Sequence, residues 1–361
     1  KPERLFDDIQ HLFVKKVVKK KQAAVPTRVK TMLLRTLRRA PRCPRVLKAR
    51  ICVDSTSAEE PTVVVQKFGG TSLGDAERLH HVAGIVKHQL ETVDRVVPVV
   101  SALSSDVKED GTTARLLQAV DHAKAGHGDL VMKEMGEVRD YHRGVLSDLR
   151  RMAPVSSEYC LQGTYENISR EVMQATDVCL LQLALAGGGD AARNQFVGHE
   201  DFVVGAGERL AAELVAYALH VRGVDAGSVD LSRSLIGTAA DAPFDERVLK
   251  QQIKAVLAES AAAAPVVTGY FGPVTGGLLE VVGRGYTDYT AALVAAATGA
   301  QVLQVWKESG GIFEANPKHV PAARLLTAVT PADAKELTQF GNEVLHPRTI
   351  DACMHANVPI D

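Results

Sequence analysis

The distribution of apolar and polar positions changes at about residue 61. From there on, short apolar runs alternate with longer stretches that have helical spacing. Short, Val-rich apolar runs cover residues 62–68, 94–105, 264–272 and 301–307. Continuous apolar runs of this length are typical of strands that a parallel sheet buries on both faces. Longer stretches with apolar residues at helical spacing separate these runs. Strands that alternate with helices predict an α/β fold, in which a mostly parallel sheet carries helices on both faces.

The helical stretches can be bounded by their polar and glycine residues. One helix is predicted over about 75–90, and residues 113–187 are expected to be mostly helical. Residues 197–223 read as a turn followed by a helix, and an alanine-rich helix is predicted over about 287–299. These helices are long enough to cover the predicted sheet.

Residues 1–60 follow a different pattern, in which Leu, Val and Met are interspersed with Lys and Arg. The first 50 residues contain only three acidic side chains, those of Glu3, Asp7 and Asp8. Such a segment suits either a transit peptide or a solvated basic leader, and both interpretations stay open. We therefore expect a basic leader, disordered or targeting, at 1–60 and a single α/β domain at 61–361.

Composition argues against several classes of protein. Of the 361 residues, 46% are hydrophobic and 24% charged, with a net charge of -1, which is ordinary for a globular protein. No apolar stretch is long enough to span a bilayer, so no membrane partner is expected. The leader has only Phe6 and Phe13 as aromatic residues, too few for base stacking, so no nucleic-acid partner is expected. Five cysteines without a C-x-x-C pair indicate reduced thiols, and hence a cytoplasmic protein unless the leader directs organelle import.

Candidate phosphate chemistry lies at the end of the first apolar run, in the segment KFGGTS. Lys67 supplies a positive charge there. Gly69 and Gly70 leave the backbone N–H groups of a turn open to a ligand, and Thr71 and Ser72 add hydroxyl donors. The plainer alternative is a glycine turn with a surface lysine.

The segment GRGYTD carries a more specific signal. Arg284 lies between two glycines, so a ligand can approach the backbone closely, and a guanidinium group fits a carboxylate or a phosphate. Thr287 and Asp288 follow at the start of the alanine-rich helix, where either side chain could also serve as a cap.

The remaining candidates are less specific. Ser101 and Thr113 lie in polar segments that a flexible loop would explain equally well. Glu208 begins a helix, where a carboxylate either caps the helix or meets the ammonium group of a substrate. A last set offers an aromatic ring and cations to an adenine nucleotide, although an ordinary strand and loop would explain it too: Lys307, Glu308, Phe313, Asn316 and Lys318.

Six motifs occur in one order between Val63 and Ile360: KFGGTS, GERL, GRGYTDYTAAL, WKESGGIF, ANPKHV and FGNEVLHP. With this set the chain resembles the aspartate kinase family of the amino-acid kinase superfamily, in its fungal-type branch. The resemblance implies an α/β/α sandwich with a mostly parallel central sheet. It also implies an enzyme that transfers the γ-phosphoryl group of ATP to the side-chain carboxylate of L-aspartate, giving 4-phospho-L-aspartate. That reaction opens the route to lysine, threonine, methionine and isoleucine.

The resemblance also implies a role for each candidate residue. Lys67 and Asp288 would be catalytic, with Lys67 bridging the phosphates and Asp288 orienting it. The phosphate-binding set would be Gly69, Gly70, Thr71 and Ser72. The substrate-binding set would be Ser101, Thr113, Thr287, Glu208 for the ammonium group and Arg284 for the α-carboxylate. The nucleotide-binding set would be Lys307, Glu308, Phe313, Asn316 and Lys318. The ATP phosphates would hold most of the Mg²⁺ coordination, so no metal-binding residue is assigned.

Departures from the family pattern keep alternatives open. The segment ANPK stands where the family usually has TDPR, so Asn316 and Lys318 bear on ATP affinity more than on the reaction. Glu343 replaces a lysine of many bacterial members and is read as a fungal-type trait. The resemblance implies paired ACT regulatory domains after VPI, where this sequence stops. We expect either a fragment boundary there or a chain without these domains, and in the second case the expected homodimer would be weakened. An amino-acid kinase with a glutamate-type acceptor and a non-catalytic subunit are the alternatives.

Overall fold

Five parallel strands form one sheet at the centre of the part of the chain that the structure describes. The structure is a computed structural model, and it describes residues 61–105, 110–153, 158–186, 198–234, 245–274, 276–307, 311–315, 319–339 and 345–361. The strands are β1 (Val63–Phe68), β2 (Arg95–Val100), β3 (Ala226–Val229), β4 (Ala264–Thr268) and β5 (Val302–Trp306). Their order is β3-β4-β2-β1-β5, with every neighbouring pair parallel. The predicted parallel sheet is confirmed.

Twelve helices accompany the sheet within the described residues. In the first half of the chain they are α1 (Ala76–Gln89), α2 (Thr112–Lys124), α3 (Gly128–Met152), α4 (Glu158–Ala186), α5 (His199–Val204) and α6 (Ala206–Val221). In the second half they are α7 (Leu231–Ser234), α8 (Glu246–Glu259), α9 (Leu278–Val281), α10 (Tyr286–Thr298), α11 (Pro331–Gln339) and α12 (Pro347–Ala356). The predicted helical stretches are confirmed, except that α5 replaces most of the turn expected before α6.

Side chains that alternate along the strands build two separate apolar layers, one on each face of the sheet. In β2, Val97 and Val99 contribute to the layer that holds α8, α10 and α12, whereas Val96 and Val100 contribute to the other layer. That second layer holds α1, α3 and α6. Because both faces of the sheet are covered, the strands can be apolar throughout. The α/β/α sandwich is therefore confirmed.

Strand β3 was not predicted, and its composition explains why. Its residues are Ala, Gly, Ser and Val, of which only Val229 belongs to a residue type that favours strands. Pairing with β4 in register from Ala226 to Val229 makes this segment a strand. Long-range pairing thus outweighs a weak local preference.

The last described residues extend the sheet beyond β5. Leu303 donates its N–H to the carbonyl of Pro359, and the N–H of Asp361 donates back to Leu303 at 2.8 Å. The N–H of Val305 donates to the Asp361 carbonyl at 2.7 Å. Residues 359–361 therefore run parallel beside β5 and lie near its carboxyl end.

Some sequence-based expectations fall outside the described residues, namely those on residues 1–60, Glu308, Asn316, Lys318 and Glu343. Among the described residues, no helix combines the length and the apolar character that crossing a bilayer requires.

Candidate active site

The carboxyl ends of four neighbouring strands bring most of the predicted site residues to one edge of the sheet. Lys67 is the penultimate residue of β1, and Ser101 follows β2 directly. Gly269 follows β4, and Lys307 follows β5. In an open α/β sheet, ligands bind at this edge because the loops and helix N-termini that follow the strands converge there.

Asp288 lies between two lysines at this edge. Its Oδ1 is 2.7 Å from Lys67 Nζ and its Oδ2 is 3.1 Å from Lys307 Nζ. Both Asp288 and Lys67 are buried. Burial alone would raise the pKa of the Asp288 carboxyl, but the adjacent Lys67 and Lys307 ammonium groups outweigh burial and hold the pKa below its usual range. The cluster therefore carries two positive charges and one negative charge in a largely dry site.

The start of α10 shows that Asp288 and Thr287 are not helix caps. The N-cap residue is Gly285, in the left-handed conformation, and no side chain caps this end. Asp288 instead turns its carboxylate to the lysines. The cap interpretation of both residues is wrong, because the glycine places them inside the first turn with their side chains toward the strand ends.

Ser101 and Thr287, both predicted to bind the substrate, contact each other. The Ser101 hydroxyl donates to Thr287 Oγ1 at 3.0 Å. Behind this pair, Gly269 leaves no room for a side chain, since an added Cβ would lie 2.6 Å from Thr287 Cγ2 and 2.7 Å from the carbonyl oxygen of Val100. A glycine at this position thus lets α10 approach the ends of β2 and β4.

Replacing Gly269 by Ala should therefore destabilise the protein. We expect the free energy of unfolding to fall by about 1–3 kcal/mol, because the new methyl group would push Thr287 away. Urea denaturation measures this change. Gly227→Ala in β3 is the matched control, since a Cβ there meets nothing within 4 Å. Equal stability of the two variants would contradict the packing argument.

The glycine turn after β1 packs tightly against the loop after β2. A Cβ on Gly70 would lie 2.5 Å from the Ala102 carbonyl oxygen, and the Gly70 carbonyl accepts from Leu73 and Ser104 at 3.1 Å each. A Cβ on Gly69 would lie 3.7 Å from Lys67 Nζ, which places this backbone beside the ammonium group. Among the described turn and loop hydrogen bonds, none uses the backbone N–H of Gly70 as its donor.

The other two predicted phosphate-binding residues follow in the same turn. Thr71 and Ser72 lie in a single 3-10 turn, Thr71–Leu73, that Gly70 precedes. Both side chains are partly exposed. The turn therefore carries hydroxyl groups close to the two glycines.

Glu208 is fully buried in the first turn of α6 and accepts a hydrogen bond from the Tyr286 hydroxyl, 2.5 Å from Oε1. Its Oε2 has no hydrogen-bond partner among the described residues. Burial raises the pKa of this carboxyl to about 7, although Tyr286 and nearby backbone N–H groups counteract that rise. Gly205, without a side-chain bond, is the N-cap of α6, so Glu208 is not that cap.

Tyr286 was missed by the sequence analysis, although it lies inside the GRGYTD segment. Its hydroxyl also hydrogen-bonds the side chain of Thr113, so it joins two residues predicted to bind the substrate. The only available signal was chemical, since a tyrosine near a buried helix start usually finds a polar partner.

Arg284 lies on the exposed loop before α10 and makes no ion pair with a described carboxylate. Its neighbours Gly283 and Gly285 both have φ of 90°. His346 ties this loop to α12, because its Nε2 donates to the Val282 carbonyl at 2.9 Å while its Nδ1 accepts from the Arg348 N–H. The guanidinium therefore lies on an exposed loop that an anion can reach.

A cavity of about 1000 Å³ adjoins the lysine cluster on the β5 side. Lys307, Trp306, Ile312, Leu326, Leu345 and Asp361 are among its lining residues. Trp306, the only tryptophan in the sequence, stacks on Phe68 with ring centroids 6.3 Å apart, and the sequence analysis did not select it as a site residue. The sequence analysis selected Phe313 instead, and Phe313 pairs with Leu325 in an isolated β-bridge. A cavity of this size can hold a nucleoside.

The described residues contain no group of three or more His, Cys, Asp or Glu side chains arranged to hold a metal ion. Asp288, the carboxylate of the lysine cluster, already has an ammonium group on each oxygen.

Comparison with known proteins decides the family. The profile of the Amino acid kinase family matches residues 62–360. The chain belongs to this family. That match spans the sheet, both helical layers and all the site residues described above.

Fungal members of the amino acid kinase family are similar to the chain in sequence. The aspartokinase of Schizosaccharomyces pombe is 37% identical over 306 residues, which cover 82% of this chain and 55% of that protein. The aspartokinase of Saccharomyces cerevisiae is 35% identical, with the same two coverages. The chain thus spans about half the length of these relatives. The resemblance to fungal-type aspartate kinases is confirmed.

Solved structures of the same family agree in fold. Escherichia coli aspartokinase III with lysine and aspartate, in its T-state, gives a TM-score of 0.63 at 25% identity. The same enzyme with aspartate and ADP, in its R-state, gives a TM-score of 0.62 at 26% identity. Each comparison covers 82% of this chain and 61% of the other.

Proposed function

We propose that this amino acid kinase is an aspartate kinase, which transfers the γ-phosphoryl group of ATP to the side-chain carboxylate of L-aspartate. The observation that carries the proposal is the buried Asp288 carboxylate between Lys67 and Lys307 at the carboxyl edge of the sheet. Two preorganised ammonium groups in a dry site suit a transition state that spreads negative charge over phosphoryl oxygens. The similarity to the fungal aspartokinases supports aspartate as the acceptor.

The nucleotide would lie along the β1 and β5 ends. Lys67 and the glycine backbone at Gly69 and Gly70 suit its phosphates, with Thr71 and Ser72 beside them. The cavity beyond Lys307 suits the nucleoside, with the Trp306 ring at its wall. Mg²⁺ would be held mainly by the ATP phosphates and would neutralise part of their charge.

Aspartate would lie on the β2 and α6 side. The exposed Arg284 guanidinium suits the α-carboxylate. Glu208 Oε2, which has no hydrogen-bond partner among the described residues, suits the ammonium group. The paired hydroxyls of Ser101 and Thr287 lie between this side and the lysine cluster. Thr113 contributes indirectly, through its bond to Tyr286.

The reaction in this site needs no general base. An oxygen of the aspartate side chain, ionised at neutral pH, forms a bond to the γ-phosphorus, and the bond from that phosphorus to the β,γ-bridging oxygen breaks. The bridging oxygen leaves with ADP, and no proton has to move. Asp288 can therefore stay ionised between the lysines and orient Lys67, while Lys67 and Lys307 stabilise the charge that develops.

The proposal extends to the whole protein in three ways. The product, 4-phospho-L-aspartate, would feed the synthesis of lysine, threonine, methionine and isoleucine. Residues 61–361 would form the catalytic domain and residues 1–60 a basic leader. The protein would act in the cytoplasm, or in an organelle if the leader directs import, as a homodimer that ACT domains would strengthen.

The hydroxamate assay tests this function. Purified protein with ATP, Mg²⁺, L-aspartate and hydroxylamine should yield aspartyl hydroxamate and ADP in equal amounts. L-Glutamate and N-acetyl-L-aspartate serve as control acceptors, and both should be poor, because the latter has no ammonium group for Glu208. Preference for glutamate would favour a different amino-acid kinase. Folded protein that binds ATP but yields no hydroxamate would favour a non-catalytic subunit.

A further inference from the structure

The hydroxyl of Tyr286 lies between two residues of the proposed aspartate site. It donates to Glu208 Oε1 at 2.5 Å and also hydrogen-bonds the Thr113 side chain. Tyr286 begins α10, two residues before Asp288, so one helical turn carries both the tyrosine and the carboxylate of the lysine cluster. The turn that orients the phosphoryl site thus also contacts the substrate-binding glutamate.

Because of this contact, the two oxygens of the Glu208 carboxylate have different surroundings. Oε1 is taken by Tyr286, whereas Oε2 is buried without a described partner. Burying a carboxylate oxygen without a hydrogen-bond donor costs free energy. Oε2 is therefore suited to accept a hydrogen bond from a cationic or donor group of the substrate. A hydrogen bond from a tyrosine can hold the carboxylate in one rotamer with that oxygen aimed at the site.

We propose that Tyr286 is a positioning residue that fixes Glu208 through Oε1 and so leaves Oε2 to accept the ammonium group of the substrate. This inference rests on the proposed aspartate kinase function for the identity of that substrate. The link between Tyr286 and Glu208 can be measured without it.

The groups that face Glu208 come from several elements. Tyr286 and Tyr270 place their hydroxyls near it, Arg209 adds a positive charge from α6, and the Ala102 backbone hydrogen-bonds it from the loop after β2. The Tyr270 hydroxyl is held by Asp201 at 2.5 Å. Tyr286 therefore supplies the side-chain hydrogen bond to Glu208. Burial is the main cause of the raised pKa of the Glu208 carboxyl.

The phenol ring of Tyr286 has a second, purely structural contact. It packs edge-on against Tyr270, with ring centroids 5.2 Å apart. A phenylalanine keeps that contact and removes only the hydroxyl. Tyr286→Phe therefore separates positioning from packing.

The matched control lies one position past Asp288 on the same helix. Tyr289 is also buried, and its hydroxyl donates to Glu246 at 3.0 Å rather than to a residue of the lysine cluster. Tyr289→Phe removes one phenolic hydrogen bond from α10 without touching Glu208.

The experiment combines kinetics with a direct titration of Glu208. In Tyr286→Phe we expect kcat/KM for aspartate to fall about 10- to 100-fold, mostly through KM, because a hydrogen bond to a charged group is lost. KM for ATP should stay within about twofold, and the acid limb of the kcat/KM profile should move to higher pH, since Tyr286 stabilises the carboxylate. Tyr289→Phe should match the wild type in kcat/KM for aspartate, in KM for ATP and in the pH profile.

Infrared difference spectroscopy follows the carboxyl band that Glu208→Gln removes. Its titration midpoint should move to higher pH in Tyr286→Phe and stay unchanged in Tyr289→Phe. An unmoved midpoint, or an unmoved pH profile with normal KM for aspartate, would overturn the inference while leaving the aspartate kinase proposal intact. A wild-type protein that forms no aspartyl hydroxamate would instead overturn the proposed function, and the infrared result would still decide the Tyr286–Glu208 link.

Discussion

Replacing Lys67 by Ala should lower kcat for phosphoryl transfer to aspartate by about 10²–10³-fold, the usual cost of losing one preorganised group that stabilises transition-state charge. The Lys67 ammonium group is buried and 2.7 Å from Asp288, so water cannot easily replace it. Lys307 stays on the other oxygen of Asp288 and should preserve part of the activity. KM for aspartate should change little, because the role proposed for Lys67 is toward the phosphoryl group rather than the acceptor. Hydroxamate formation at saturating substrate measures kcat.

The control for this variant is another lysine-to-alanine change. Lys87 is exposed near the end of α1 and donates to the Arg222 carbonyl, so it is not part of the lysine cluster. Lys87→Ala should keep the wild-type kcat. Thermal unfolding should show that both variants fold. A folded Lys67→Ala variant with an unchanged kcat would exclude Lys67 from catalysis.

The local half of this site could be predicted from the sequence. The apolar run that ends at Phe68 and the glycines after it identified a strand and a turn, because both signals are local. The alanine-rich helix was predicted to end near Gly299, and that residue does end α10 in the left-handed conformation. Local chemistry was sufficient for each of these.

The pairings between distant residues could not be predicted from local pattern. Lys67 meets Asp288 only because β1 lies between β2 and β5 and α10 packs over their ends, and neither fact follows from the spacing of apolar residues. The Tyr286 hydroxyl finds Glu208 for the same reason, since α6 and α10 belong to opposite layers that meet at the strand ends. The resemblance to a family supplied the pairing of Asp288 with Lys67, but it did not supply the contact between Tyr286 and Glu208.

Trp306 was missed by the sequence analysis because its exposure could not be read from its position in the sequence. An aromatic residue at the end of a strand is usually read as core, yet Trp306 is 40% exposed and lines the cavity beside Lys307. The Trp306 ring stacks on the ring of Phe68, which is fully buried. The exposure of Trp306 depends on how residues 311–315, 319–339 and 359–361 lie around β5, and a short stretch of sequence does not contain that information.

Replacing Asp288 by Asn should affect both stability and catalysis. The change leaves two ammonium groups facing a neutral amide, and breaking a buried ion pair by removing one partner costs about 3–5 kcal/mol. We expect the free energy of unfolding at pH 7 to fall by about 3 kcal/mol, the lower end, since the amide oxygen still accepts a hydrogen bond. We also expect kcat to fall at least about 100-fold, because Lys67 loses the group that orients it. Urea denaturation and hydroxamate formation measure the two effects.

The pH dependence separates this ion-pair effect from a general packing defect. The pKa of Asp288 in the folded protein is lowered from its ordinary 3.8, so its stabilising contribution is complete above that value and is lost as pH falls through the folded pKa. The stability difference between wild type and Asp288→Asn should therefore be constant from neutral pH to about 4 and shrink below it. Asp351→Asn, which loses the exposed pair with Lys335, is the control and should cost less than about 1 kcal/mol. A stability difference that persists unchanged below the folded pKa would point to packing, and the two lysines would then need another counter-charge to explain how they remain close together.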